Sequence, residues 1–463
     1  MGWFRRKAMQ ILLQLRHKKN SDRIRENLKQ LHESEKMNTE TLQRVQDERL
    51  SNLLTHAYRH VPYYRKAILA SGVIDINENV DLNLFHSIPL LDKITIHSNM
   101  EAMKSDDIYQ RQYIYNASGG STGEPVSLIQ DNNFTEWCTA SKLLFDEWTN
   151  LTPGDKKILL WGSKRDLLVG RESLKAEIFK WLSHEYWLNA YQMTKQQMKM
   201  YVKKINSFKP LHILAYADSI DELSQFIEKQ ALEVHAPKSI ITSAGTLFPE
   251  MRERIERVFL APVFNRYGSR EVGAIACECD RHEGLHVSVL TNYIEILRPD
   301  GTCSPPGEIG EIVVTSLVNY AMPLIRYRIG DLAAWSKKPC SCGRGWSLLM
   351  EVSGRVSDTF ITNQGTRVNG KYFHHLFYFN DWVRRYQIIQ EKIDYIRVLI
   401  VLSDSDAVEE NYKGELKSIR NNIQSIMGDE CLVDYEFLKD IPPTASGKHL
   451  YTISKVSNYE MKN

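Results

Sequence analysis

No uninterrupted apolar stretch in the 463 residues approaches the roughly 18 needed to cross a bilayer, which argues against an integral membrane protein. An excess of one charge is also missing. The 59 Lys and Arg stand against 57 Asp and Glu, so the formal net charge of +2 gives no general electrostatic reason to expect nucleic acid as a partner. Gly and Pro are sparse, at 24 and 15, and there is neither an internal repeat nor a low-complexity tract. Collagen-like chains, long disorder and coiled-coil rods are thereby excluded. Cysteine is scarce and odd in number, the seven being Cys138, Cys277, Cys279, Cys303, Cys340, Cys342 and Cys431. Such a set scattered over a long chain is not the framework of a secreted disulfide protein, and a reducing cytoplasm is expected.

What is present is ordinary globular material, 43% hydrophobic and 25% charged, in a length that suggests two or three domains. The opening segment MGWFRRKAMQILLQLRHKK stands apart. It has no acid, carries Arg5, Arg6, Lys7, Arg16, Lys18 and Lys19, and spaces Trp3, Phe4, Ile11, Leu12 and Leu15 for one side of a helix. One reading is a membrane-surface helix formed by residues 1–19, at the inner face of the membrane; the commoner reading is a helix packed on its own domain. It has neither a long apolar core nor a small-residue cleavage site, so a signal peptide is not expected.

Three regions follow from the patterning: a basic amphipathic helical region over residues 1–40, a layered α/β domain over 41–353, and an α+β domain over 354–463. Leu42 to His60 repeats its apolar residues at helical spacing, and Pro62 and Gly72 punctuate the next helical segment. Between about residues 110 and 345, runs such as KILLWG, HILAY, SIITSAG, YIEIL and EIVVTSL alternate with helical stretches such as TKQQMKMYVKKINSF and SIDELSQFIEKQAL. After Gly354 come the run YQIIQEKIDYIRVLIVL, a helix from about Glu409 to Met427, the strand-like CLVDYEFL and the polar loop IPPTASGKHL.

The sharpest local feature is Ser118-Gly119-Gly120-Ser121-Thr122-Gly123, just after the strand-like Tyr113-Ile114-Tyr115. Glycines let backbone N–H groups approach an anion, and the hydroxyls of Ser118, Ser121 and Thr122 add donors, so the loop suits phosphate oxygens; a surface turn is the competing reading. It is not a Walker A loop, because no Lys-Ser or Lys-Thr follows at the required place. A second constellation is Cys277-x-Cys279 with His282 and His286 behind it, and Cys340-x-Cys342 further on. Thiolate and imidazole are the ligands of structural zinc. The alternative is a set of reduced, buried thiols with two surface histidines.

Further segments follow the Ser/Gly loop in a definite order: Tyr267-Gly268-Ser269-Arg270-Glu271, Gly307-Glu308-Ile309-Gly310-Glu311, Tyr327-Arg328-Ile329-Gly330-Asp331, Gly354-Arg355-Val356-Ser357-Asp358 and Pro443-Thr444-Ala445-Ser446-Gly447-Lys448. The series resembles the adenylate-forming superfamily of acyl-CoA synthetases and nonribosomal adenylation domains. LLTHAYRHVPYYRKAILASG and HSIPLLDKITI narrow the likeness to the phenylacetate-CoA ligase branch and its relatives encoded with capsular polysaccharide genes. The resemblance implies a large α/β domain with a smaller mobile C-terminal lid, and an AMP-forming ligase that joins a carboxylic acid to coenzyme A. It leaves two further readings: transfer to an amine or hydroxyl acceptor in polysaccharide biosynthesis, and a nucleotide-binding scaffold without catalysis.

Attack of a carboxylate on the α-phosphate of ATP brings two anions together, so cations and aligned donors are what the site must supply. By the resemblance, Ser118, Gly119, Gly120, Ser121, Thr122 and Gly123 would hold the β- and γ-phosphates. Thr122 and Glu271 would position Mg2+, a hard ion that takes oxygen ligands. Tyr267, with Gly268 beside it, would stack on adenine, and Asp331 would accept from the ribose hydroxyls. Arg355 would contact the nucleotide, Lys448 would bring its charge to the α-phosphate, and Asp358 would be the hinge. The resemblance also selects Cys279, His286, Cys340 and Cys342 as ligands of a structural Zn2+, with His282 as substitute for His286. Departures from the family's usual pattern are Glu124 in place of Lys, Ser269-Arg270 before the acid, and Ser243-Ala244-Gly245-Thr246 where Gly-Glu is common.

Overall fold

The structure is a computed structural model, and it describes residues 18–117, 126–161, 184–190, 193–355, 359–378, 380, 382–403, 412–442 and 449–456. Its contacts divide into a first unit reaching to Val352 and a second running from Ser353, with the short Gly330–Leu332 stretch counted in the second.

The first unit opens with four helices, α1 (Lys18–Glu35), α2 (Thr39–His60), α3 (Pro62–Ser71) and the short α4 (Lys93–Ser98). Asn38 caps α2 by accepting from the Thr41 N–H, and Pro62 starts α3, where a missing N–H costs nothing. Gly72, at φ 75°, closes α3 in the left-handed conformation that glycine adopts without strain. Leu42, Leu50, Leu53, Leu54 and Ala57 turn one face of α2 into the main core, as the helical spacing predicts. Helix α1 packs on α5 (Asn132–Trp148) and buries Leu31, so residues 18–35 lie on their own unit; residues 1–17 fall outside the described part.

An eleven-stranded sheet runs through the unit in the order β10-β11-β12-β13-β9-β8-β7-β6-β5-β3-β4. Strands β3 (Lys157–Trp161), β4 (Glu185–Asn189), β5 (His212–Tyr216), β6 (Ser239–Ser243) and β7 (Val263–Ser269) pair in parallel. Their connections contain α6 (Lys195–Phe208), α7 (Ala217–Lys229) and α8 (Pro249–Phe259), the crossovers that parallel pairing needs. From β7 onward the pattern changes. Strands β8 (Gly273–Glu278) and β9 (Leu285–Val287) return antiparallel, β13 (Leu348–Arg355) pairs antiparallel to β9, and β10 (Asn292–Leu297) pairs antiparallel to β11 (Gly310–Ser316). The alternation of strands and helices expected up to residue 345 thus stops at Phe259. The link from β7 to β8 is three residues, too short for a crossover helix, so the chain turns back as a hairpin.

A two-stranded hairpin, β1 (Tyr113–Ala117) with β2 (Ser127–Asp131), brackets the Ser/Gly loop. Asp131 then caps α5 through the Phe134 N–H at 2.9 Å. Strand β12 spans Tyr327–Trp335 and lies between β11 and β13.

In the second unit, hairpin β14 (Thr359–Ile361) and β15 (Arg367–Asn369) precedes α9 (Gly370–Tyr378). A four-stranded sheet of order β18-β17-β16-β19 follows, built from β16 (Val383–Lys392), β17 (Tyr395–Leu402), β18 (Leu432–Phe437) and β19 (Thr452–Ser454). The run YQIIQEKIDYIRVLIVL is an antiparallel hairpin that turns at Ile393-Asp394, and Ile396, Val398 and Ile400 alternate into the core. Helix α10 (Lys413–Met427) packs that core with Leu416, Ile419, Ile423 and Met427, spaced for one helical face.

Candidate active site and metal centre

Tyr267 and Gly268 lie on β7 and Glu271 in the turn that follows it, at the carboxyl-terminal edge of the parallel strands, where α/β sheets bind ligands. Tyr267 is half-buried against the main core. The pairing with β8 shifts register between Tyr267 and Gly268, and a Cβ at Gly268 would stand 2.5 Å from the Gly273 carbonyl oxygen. Only glycine fits that approach. Glu271 is buried, with 8% of its surface exposed.

A residue with no sequence signal ties this edge to the Ser/Gly hairpin. Gln130 of β2, itself 3% exposed, donates through Nε2 to the Arg270 carbonyl at 2.7 Å and lies 3.4 Å from that of Glu271. Its Oε1 accepts from Asn116 Nδ2 at 2.9 Å, and Asn116 Oδ1 accepts from the Ala117 N–H at 2.8 Å. Both strands bracketing residues 118–125 are therefore fastened to the segment bearing Glu271. Asn319 adds a second anchor, donating to the Ile129 carbonyl at 2.9 Å. Asp331 lies on β12 next to β13, whose last residue is Arg355. The loop residues Ser118 to Gly123, the hinge candidate Asp358 and Lys448 are outside the described residues.

The structure gathers Cys279, His286, Cys340 and Cys342, whose ligand atoms all lie within 4.8 Å of one another. Cys279 Sγ is 3.7 Å from Cys340 Sγ, and Cys342 Sγ is 3.3 Å from His286 Nε2. Two thiolates about 2.3 Å from one tetrahedral ion stand about 3.8 Å apart, so the Cys279–Cys340 pair has the spacing of two ligands of a Zn2+ ion. Burial holds the His286 imidazole neutral, with its pKa lowered to about 4. Cys277 takes no part. It sits in the main core, its thiol pushed up to about 12 by burial against the pull of Arg266. His282 is turned elsewhere, its Nδ1 3.2 Å from Glu278 Oε2 and its ring 4.7 Å from that of Phe264.

Helix α1 supports the cysteine loop. Glu35 Oε1 accepts from Arg344 Nε at 2.5 Å and from Trp148 Nε1 at 2.9 Å, and the Glu35 carbonyl accepts from the Gly345 N–H at 3.0 Å. Trp148 in turn meets the His286 ring edge-on at 5.6 Å. On the other side Glu283 accepts from the Ser341 N–H and hydroxyl, both at 2.7 Å.

A second group, His56, His60 and Asp107, also converges within 4.8 Å. Its donors are already engaged. His56 Nε2 lies 2.9 Å from the Tyr320 carbonyl, and Asp107 accepts from Arg111 Nη2 at 2.8 Å and from Ser105 Oγ at 2.5 Å. Burial raises the Asp107 pKa, but Arg111 and Ser105 outweigh it and hold the group at about 2. The cluster is a hydrogen-bonded tie between α2 and the segment before β1.

Comparison with known proteins agrees with this architecture. Residues 360–455 match the family described as the CapK C-terminal domain. Protein CapK of Staphylococcus aureus is 24% identical over 417 residues, covering 89% of each chain. The phenylacetate-coenzyme A ligase of Escherichia coli K12 is 27% identical over 351 residues, 71% of this chain and 74% of that one. The chain is thus similar both to CapK and to phenylacetate-coenzyme A ligases, which supports the phenylacetate-CoA ligase-like branch of the adenylate-forming superfamily. The chain also shares its fold with a 2-hydroxyisobutyryl-CoA ligase crystallised in the postadenylation state, at a TM-score of 0.70, 18% identity and 93% coverage of each chain. Similarity to these relatives supports an enzyme of the AMP-forming ligase class. Among its described residues no helix is long and apolar enough to cross a membrane.

Proposed function

We propose that this protein is a ligase that activates a small carboxylic acid with ATP and passes the acyl group to coenzyme A. The observation that carries the reading is the Gln130 tie, which fastens the hairpin around Ser118–Gly123 to the segment bearing Glu271, in a chain similar to phenylacetate-coenzyme A ligases over 71% of its length.

In the first half-reaction a carboxylate oxygen attacks the α-phosphorus of ATP, the bond to the β-phosphate breaks, and pyrophosphate leaves with its electron pair. The loop's N–H groups and hydroxyls hold the departing phosphates, and the oxygens of Thr122 and Glu271 suit Mg2+, which supplies further positive charge there when bound. Tyr267 stacks on the adenine and Asp331 accepts from the ribose hydroxyls. Arg355 contacts the nucleotide and Lys448 brings its ammonium to the α-phosphate, where negative charge develops. In the second half-reaction the coenzyme A sulfur, having lost its proton, attacks the acyl carbon and AMP departs. Residues 354–463 serve as the lid that alternates between the halves, with Asp358 as hinge, while residues 41–353 carry the nucleotide site. Cys279, His286, Cys340 and Cys342 would hold a structural Zn2+, and four protein ligands would leave no position open to substrate. The seven unpaired thiols suit a reducing cytoplasm, where ATP and coenzyme A are at hand.

A second reading keeps the adenylate and changes the acceptor to an amine or hydroxyl on a sugar. It is raised by the similarity, along 89% of both chains, to CapK, a capsule-related protein. Incubating the enzyme with ATP, Mg2+ and a panel of acids separates the two. Coenzyme A-dependent AMP release with a thioester product is expected. AMP release that needs an amine or sugar and ignores coenzyme A assigns the second reading.

A further inference from the structure

The three residues Arg344, Gly345 and Trp346, which closely follow Cys342 in the chain, are all fastened to the end of α1. Arg344 Nε donates to Glu35 Oε1 at 2.5 Å, the Gly345 N–H to the Glu35 carbonyl at 3.0 Å, and Trp346 Nε1 to Ser34 Oγ at 3.0 Å. Ser34 and Trp346 are buried. A Cβ at Gly345 would collide with the Met37 carbonyl oxygen, so only glycine lets the two stretches lie this close.

Two of these contacts lead on to the candidate metal ligands themselves. Cys342 Sγ faces the backbone N–H and the guanidinium of Arg344, donors that attract a thiolate. Glu35 Oε1 also accepts from Trp148 Nε1 at 2.9 Å, and the Trp148 ring stands edge-on to that of His286 at 5.6 Å, with the Arg344 guanidinium 4.8 Å over its centre. One carboxylate thus orients the donor to one ligand and the aromatic wall of another. The body of α1 has less to hold it. Among its described side chains Leu31 is the one apolar group fully buried, while Ile24 and Leu28 are half-buried against the core. A helix of 18 residues is marginal alone in water, so its place depends on few contacts, and those at its carboxyl end converge on the ligand cluster.

We propose that the end of α1 belongs to the metal centre: Glu35, through Arg344, is a positioning residue for Cys342, and metal bound by Cys279, His286, Cys340 and Cys342 in turn holds α1 in place. The inference rests on the reading of that cluster as a Zn2+ site. Residues that orient metal ligands typically change affinity by about 10- to 100-fold. Linkage makes the effect reciprocal, because whatever factor the docked helix adds to metal affinity, bound metal adds to the docking equilibrium.

The test measures Zn2+ affinity of the full chain by competition with a chromophoric chelator, and amide hydrogen exchange of α1 in the loaded and metal-free protein. Glu35→Ala is expected to weaken Zn2+ binding about 10-fold or more. Glu35→Gln, whose Oε1 can still accept from Arg344 and Trp148, should recover most of the loss. Glu33→Ala, at an exposed side chain that pairs with Lys29, should bind as the wild type does. In the wild type, removing the metal should speed exchange in the last turns of α1 by the same factor while that of α7 stays as it was; in Glu35→Ala the metal should slow it far less. A merely structural role for Glu35 would lower the stability of loaded and metal-free protein alike and leave the affinity in place. Wild-type Zn2+ affinity in Glu35→Ala, or exchange of α1 indifferent to metal, would overturn the linkage and leave the Zn2+ site standing. If the wild-type chain binds no Zn2+, the metal reading fails and the linkage with it. Should Glu35→Ala not fold, Arg344→Gln breaks the same link from the loop side and is held to the same comparison.

Discussion

Replacing Lys448 by Ala is expected to slow adenylation by roughly 10²-fold or more, the usual loss for one charge contact made in the transition state. Its effect on the consumption of a preformed acyl-adenylate is expected to be small, because the ammonium acts on the phosphorus chemistry and not on the thioester step. Asp358→Pro should do the reverse. A hinge residue absorbs a large change in φ and ψ, whereas proline confines φ near −65°, so the second half-reaction should suffer most. Rapid-quench measurement of AMP and acyl-adenylate separates the halves. Equal slowing of both by Lys448→Ala, or no slowing by Asp358→Pro, would contradict an alternating lid.

The second large effect concerns metal. One Zn2+ per chain is expected by elemental analysis of freshly purified protein, held by Cys279, His286, Cys340 and Cys342. In peptides that fold only on metal, such sites contribute about 10 kcal/mol or more. Here the cysteine loop is also pinned by Glu35 through Arg344 and the Gly345 N–H, so part of the structure stands without the ion. A loss of about 5 kcal/mol on chelation, or in Cys340→Ser, corresponds to a fall in Tm of roughly 10 °C or more. Adenylation by protein that remains folded should persist, since the ion has no open position. Metal well below one equivalent in active protein would count against the site, and loss of the chemical step without loss of stability would make the ion catalytic.

The helical spacing from Leu42 to His60 and the strand runs from KILLWG to SIITSAG were legible because local periodicity and burial agree there. The antiparallel half was harder. YIEIL and EIVVTSL look like buried strands in either setting, and only the short β7–β8 turn and the pairing of Asn292–Leu297 with Gly310–Ser316 reveal hairpins. The metal centre was half legible. Residue types pointed to zinc, but the choice between Cys277 and Cys279 or His282 and His286 depends on what each side chain meets: Arg266 at Cys277 and Glu278 at His282. Gln130 and Glu35 carried no signal at all. A glutamine in the strand SLIQD and a glutamate at a helix end look like ordinary polar residues until the partner 140 or 309 positions away is known.

The account stands most directly on whether this chain makes an acyl-adenylate, and exchange of labelled pyrophosphate into ATP measures that step without knowledge of the acceptor. Exchange that requires both Mg2+ and one of a panel of acids, and that falls in Glu271→Gln, is the predicted result. ATP binding with no exchange across the whole panel would contradict the account, and would identify a nucleotide-binding scaffold that keeps the fold without the chemistry.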